Sequence, residues 1–185
     1  MPEVASSGNP GQSNVVLWLV AVLILLAILG LAGWKVFFSG VEEASVNADS
    51  SPAPAFDLVG LDGERYRLED FSGRVVLIEF WATWCGPCRL QADILARLYD
   101  EVQSADLEFL AVSLGEPEDI VGEYVRKDPF PYPVLLDPEE ILGYALEVYA
   151  LPTVMIVDGK GEITFFRPGI TDGETLRRAL LAAAG

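Results

Sequence analysis

The only two cysteines in the 185 residues, Cys85 and Cys88, stand three positions apart in the run Trp84-Cys85-Gly86-Pro87-Cys88. Thiols that close can pass between dithiol and disulfide with little backbone movement, so they are a candidate redox couple. The run follows Val75 to Trp81, an almost continuous apolar stretch of strand formers. It precedes Leu90, Ile94, Leu95, Leu98 and Val102, which recur at helical spacing. Cys85 is therefore expected where a central strand ends and a helix begins. Unpaired N–H groups and the positive end of the helix dipole at that place favour thiolate over thiol. Cys85 is the expected attacking sulfur. Cys88, one turn on, is the expected resolving sulfur that displaces it from a mixed disulfide. Pro87 suits the first helical turn, where its missing N–H costs nothing.

Other chemistries are narrower. There is no histidine, which removes Ser-His-Asp triads, His-based zinc sites and His general bases. A pair so close is no framework for distant loops. It is half of a zinc site at most, and no further cysteine or histidine completes a closed N/S site in one chain. A two-thiolate copper(I) site in a metal-handling module is an alternative of another class. A thiol peroxidase with one attacking cysteine would want Pro and Thr seven and three positions before it, and those positions hold Ile78 and Ala82. No bound cofactor or metal is expected. The net charge of −16, from 12 basic and 28 acidic residues, comes without a Lys/Arg cluster and argues against nucleic acid as a partner. The acidic excess is spread along the chain and reads as a solvated surface.

The elements around the pair follow from local patterns. Phe56–Leu58 and Tyr66–Leu68 flank the turn Leu61-Asp62-Gly63 as a hairpin. After the cysteine helix, Leu107–Val112 reads as a buried strand and Pro117–Arg126 as a helix. Val134–Leu136 reads as a short strand, and Glu139–Tyr149 as another helix. Thr153–Val157 and Ile163–Phe166 form a second hairpin about Asp158-Gly159-Lys160-Gly161, and Thr171 with Glu174 has the spacing of a capping box for a last helix through Ala184. Strands alternating with helices, with hairpins at both ends, predict an α/β fold with a mixed sheet.

This domain spans residues 53–185. Residues 1–14 are small, polar and expected to be disordered. Val15 to Trp34 is a run of 20 residues without a charge, about 30 Å long as a helix, which matches a bilayer core. Trp18, Trp34 and Lys35 suit the interfacial zones. A transmembrane anchor is expected over residues 15–38, followed by a flexible tether over residues 39–52. A cleaved signal peptide fits less well, because no basic stretch precedes the run. Lys35 is the only basic residue near either end, so charge gives little indication of orientation.

Trp84-Cys85-Gly86-Pro87-Cys88 is the thioredoxin active-site sequence. The wider stretch from Ala53 to Gly185, with its hairpin, Ala82-Thr83 and Pro133-Val134-Leu135-Leu136-Asp137-Pro138, resembles the membrane-anchored thioredoxin-like group of TlpA, ResA and CcmG. The resemblance implies a thioredoxin-like fold on a single-pass anchor in the cell membrane, with the catalytic domain on the extracytoplasmic side. It implies reduction of disulfides in exported proteins, often in cytochrome c maturation, with rereduction by a membrane electron donor. Leu151-Pro152-Thr153 corresponds to the family's cis-proline loop, which offers backbone groups to an extended substrate. Glu79, six residues before Cys85, falls where thioredoxins keep a buried acid beneath the pair. Its apolar neighbours Leu77, Ile78, Phe80 and Trp81 favour burial over an exposed sheet edge. Gln91 and Asp93 depart from the group, standing where an acidic residue and a proline are usual. A straighter helix and an altered substrate groove are the expected consequences.

Overall fold

Val75–Trp81 is buried at all seven positions, as an apolar run covered on both faces must be. The computed structural model in which it lies describes residues 18–20, 22–25, 50–102 and 104–185. Residues 18–20 and 22–25 are helical. The remainder of the expected N-terminus, anchor and tether up to residue 49 lies outside the described residues. No helix among those described is long and apolar enough to cross a membrane.

Eight strands make one mixed sheet: β1 (Ser51–Pro52), β2 (Asp57–Gly60), β3 (Arg65–Arg67), β4 (Val75–Trp81), β5 (Leu107–Leu114), β6 (Val134–Asp137), β7 (Thr153–Val157) and β8 (Glu162–Pro168). Their order is β1-β8-β7-β4-β5-β6-β2-β3. β4, β5 and β6 run parallel, and the remaining pairs are antiparallel. The helices are α1 (Gly86–Val102), α2 (Glu118–Lys127), α3 (Ile141–Ala145) and α4 (Gly173–Ala184), with a 3-10 turn at Leu68–Phe71. This is the thioredoxin-like α/β architecture.

Side-chain alternation along β4 divides the core. Leu77 and Trp81 join Leu95 and Leu98 of α1, Val121 of α2, and Leu176 and Leu180 of α4 on one face. Val76, Ile78 and Phe80 meet Phe56, Phe71 and Leu142 on the other. The expected first hairpin forms, with Leu58 opposite Tyr66. Its turn is held by Asp62, which accepts from the Glu64 N–H and the Tyr66 hydroxyl, and by Gly63 at φ 84°, a conformation that disfavours a Cβ.

Three details differ from the sequence reading. The helix expected over Glu139–Tyr149 is reduced to Ile141–Ala145. Glu140 and Glu147 take left-handed φ of 55° on either side of it. Asp137 caps it by accepting from the Ile141 and Gly143 N–H groups at 2.8 and 3.0 Å. The last helix is capped by Asp172, which accepts from the Thr175 N–H at 2.9 Å. Thr171 is buried just before it. Ser51–Pro52, read as the end of the tether, joins the sheet edge opposite Ile163 and Glu162; two residues give no periodicity to detect.

Leu95 is the fully buried centre of the α1 face. Leu95→Ala should cost roughly 2–5 kcal/mol of unfolding free energy, measured by urea titration of the oxidised protein, because the cavity beneath the helix cannot close.

Candidate active site

The C-terminal end of β4 carries the reactive segment. Phe80 pairs with Thr153 across β4 and β7, so Trp81 and Pro152 lie at the same end of the sheet. The chain then turns through Ala82, Thr83 and Trp84, where the Cys85 N–H donates to the Ala82 carbonyl at 3.1 Å. α1 begins at Gly86, immediately after Cys85. Cys85 and Cys88 form a disulfide with S–S 2.05 Å and Cα–Cα 5.4 Å. In this oxidised state the cysteines are only 4 and 2 % exposed, whereas Trp84 beside them is 73 % exposed. Exposure therefore hardly separates the two sulfurs. Position at the helix terminus does.

The Leu151–Pro152 peptide bond is cis. Pro152 is buried, and its carbonyl accepts from the Gly169 N–H at 2.7 Å. The Thr153 hydroxyl donates to the Ala150 carbonyl and closes the turn leading into β7.

Glu79 lies on the β4 face that carries Leu77 and Trp81, the face on which both cysteines pack. Its side chain is inaccessible to solvent. Neither carboxyl oxygen has a hydrogen-bond partner, nor do the Tyr132 hydroxyl and the Trp81 indole nitrogen. Burial disfavours the carboxylate and pushes the Glu79 pKa up to about 8; the nearby Tyr132 hydroxyl opposes this weakly, without forming a well-aligned bond. Trp81 is in turn packed on Phe130 and Tyr124, with ring centroids 4.8 and 5.3 Å away. The structure thus brings Cys85, Cys88, Glu79 and Pro152 to one end and one face of the sheet.

Two further residues hold this end together. Glu116 is 7 % exposed and accepts from the Thr83 N–H at 2.7 Å, the Thr83 hydroxyl at 2.5 Å and the Ser113 hydroxyl at 3.3 Å. It anchors the loop that delivers Cys85 to a residue 33 positions later in the chain, a separation at which local patterns are silent. Gln91 is fully buried in α1 and bonds to both backbone groups of Thr171. Its signal was present in the sequence, since it sits with Cys88, Leu95 and Leu98 on the buried stripe of the helix. α1 is one continuous helix of 17 residues. Among the described residues no group of three or more His, Cys, Asp or Glu is placed to hold a metal ion.

The chain is similar to known proteins over most of its length. The AhpC/TSA family model matches residues 50–166. The thiol-disulfide oxidoreductase ResA of Geobacillus thermodenitrificans is 32% identical over 169 residues, 91% of this chain and 95% of its own. The ResA of Bacillus subtilis is 32% identical over 142 residues, 77% and 78% of the two chains. A Chlorobium tepidum structure assigned as the thiol:disulfide interchange protein DsbE superposes with a TM-score of 0.69 at 29% identity, covering 74% of this chain and 97% of that one. The exposed lipoprotein thioredoxin Etrx1 of Streptococcus pneumoniae superposes at 0.65 with 27% identity, covering 70% and 99%. With these matches over the sheet, the helices and the cysteine pair, the chain belongs to the AhpC/TSA family and is a thioredoxin-like thiol–disulfide oxidoreductase.

Proposed function

We propose that this oxidoreductase is tethered to the cell membrane through residues 15–38 and reduces disulfides of exported proteins on the extracytoplasmic side. The observation that carries the reading is the Cys85–Cys88 disulfide at the start of α1, with the cis-Pro152 loop and buried Glu79 at the same sheet end. The charge-free run Val15–Trp34 supports the tether. So does the place where the chain joins the sheet. Ser51 pairs with Ile163, which is level with Val157 and Val76, the end of β4 remote from Trp81. At about 3.3 Å per residue, the redox end lies roughly 17 Å further along the strand. The chain therefore enters the sheet at the end of β4 remote from the cysteine pair. The extracytoplasmic side is supported by the exposed lipoprotein thioredoxin among the structural neighbours. Disulfides of apocytochromes c are the substrate class to which the resemblance points.

In the reductive half-cycle the Cys85 thiolate attacks one sulfur of the substrate disulfide, whose S–S bond breaks and releases a thiolate. The Cys88 thiol gives its proton to the Glu79 carboxylate and attacks Cys85 Sγ, releasing the second substrate thiolate. The substrate gains two electrons and the enzyme is left as the Cys85–Cys88 disulfide. A membrane dithiol donor then restores it. The loop at Pro152 holds the substrate backbone beside the sulfurs.

Three outcomes are expected. Cys88→Ser should accumulate mixed disulfides with exported proteins, and Cys85→Ser should form none; trapping through Cys85→Ser and not through Cys88→Ser, resolved by mass spectrometry of native membranes, would reverse the roles. Protease added to intact spheroplasts should digest the domain while the mature chain retains residues 15–38. Protection would place the domain inside.

Glu79→Gln should slow resolution of the mixed disulfide by roughly ten- to a thousandfold while sparing first alkylation of Cys85, and it should flatten the rise in resolving rate as pH passes about 8. The same raised pKa makes stability depend on pH. Below the unfolded value of 4.5 the carboxyl is protonated in both states; between 4.5 and about 8 only the unfolded chain ionises, so native stability falls as pH rises. Glu79→Gln should lack that decline in urea titrations. An unchanged resolving rate with lower stability would remove Glu79 from the mechanism.

A further inference from the structure

We infer that Gln91 is a positioning residue for substrate binding: through Thr171 and Gly169 it couples the dithiol helix to the Pro152 loop and sets the spacing of the groove between them. The inference rests on the proposal that the Pro152 loop holds the substrate backbone.

Gln91 lies three residues after Cys88, on the same buried stripe of α1. Its amide uses both ends on one residue of a distant loop. The side-chain oxygen accepts from the Thr171 N–H at 2.7 Å, and the side-chain nitrogen donates to the Thr171 carbonyl at 3.3 Å. Both residues are buried, with exposures of 0 and 1 %. Two residues earlier, Gly169 at φ 85° turns its N–H onto the Pro152 carbonyl at 2.7 Å. The segment Gly169–Thr171 is thus pinned at one end to the dithiol helix and at the other to the proline loop. Ile170, between the pins, is 47 % exposed.

The two anchors do different work from ordinary helix packing. The Thr171 hydroxyl is buried without a partner, so the side chain of residue 171 contributes no polar hold; the Gln91 amide holds the backbone instead. A primary amide offers a donor group and an acceptor group in one fixed plane and carries no charge, so its own hydrogen-bonding capacity does not change with pH. Removing it leaves a buried N–H and a buried C=O unpaired. The loop would then adopt other positions in the free enzyme, and an extended substrate would have to order it on binding. The sulfurs, held by β4, the Thr83–Glu116 bonds and the start of α1, keep their chemistry. KM should therefore respond and kcat should not.

The test is steady-state reduction of a disulfide-bonded peptide by the full chain, recycled with a small dithiol. Gln91→Met keeps the length and apolar volume and removes both bonds. It should raise KM roughly tenfold with kcat within about threefold, the size expected from unpairing these groups. If Gln91→Met does not fold, Gln91→Asn gives the same readout, because it keeps an amide that is one methylene too short to hold both groups. Leu180→Ala, a cavity in α4 on the same face, controls for general loosening. An unchanged KM, or an equal rise in the Leu180→Ala control, overturns the inference. Pro152→Ala separates the two readings. A raised KM there with an unchanged one in Gln91→Met defeats Gln91 alone, and an unchanged KM in both defeats the docking role of the loop.

Discussion

Between Val75 and Trp81, β4 hydrogen-bonds to β5 on one side and β7 on the other, while helices and loops cover both of its faces. All seven of its residues are buried. That enclosure sets the terms for the rest of the molecule. The strand's end delivers the chain directly to Cys85, and its antiparallel partner delivers Pro152 to the same level. Its pleat decides which side chains point at the sulfurs. A slip of one residue in register would turn Glu79, Leu77 and Trp81 to the opposite face. The extensive pairing on both edges holds that register and with it the position of the reacting groups.

Glu79 works against this enclosure. A carboxyl there gains no hydrogen bond from the protein and loses its hydration, so it favours the neutral form. The apolar cluster on its face of the sheet, with Leu77, Trp81, Phe109 and Val154, tolerates the destabilisation. Placing an acid where it is poorly stabilised raises its proton affinity into the range where it can exchange a proton with a thiol, whose ordinary pKa is near 8.5. A surface glutamate could not do this, because solvent would hold it near its usual value.

Much of this was legible in the chain. The apolar density of Val75–Trp81 marked the central strand, the Cys-x-x-Cys run marked its exit, and the period of Leu95 and Leu98 marked the covering helix. Local polar chemistry was less readable. Thr171 and Glu174 have capping-box spacing, but the cap falls one position later, at Asp172, whose carboxylate accepts from both the Thr175 N–H and the Thr175 hydroxyl. Glu139–Tyr149 contains good helix formers, yet Glu140 and Glu147 break it with left-handed backbone, which side-chain propensity does not encode. Glu116 was invisible for a different reason. Its role depends on Thr83, which only the parallel pairing of β4 with β5 brings near.

The buried polar groups fall into two kinds, and the difference bears on chemistry. Glu116 accepts three hydrogen bonds from the Cys85 loop and β5, Asp137 accepts two at the start of α3, and Gln91 spends both ends of its amide on Thr171. Each is satisfied by groups that do not react, so each is suited to holding elements in place. Glu79 has no such partner, and it lies on the face where Cys85 and Cys88 pack. A protein that satisfies its buried carboxylates at two sites and leaves unsatisfied the one on the face of its sulfurs keeps that one free to take a new proton. The cost of burying Glu79 unpaired and its use in the thiol chemistry thus have one origin.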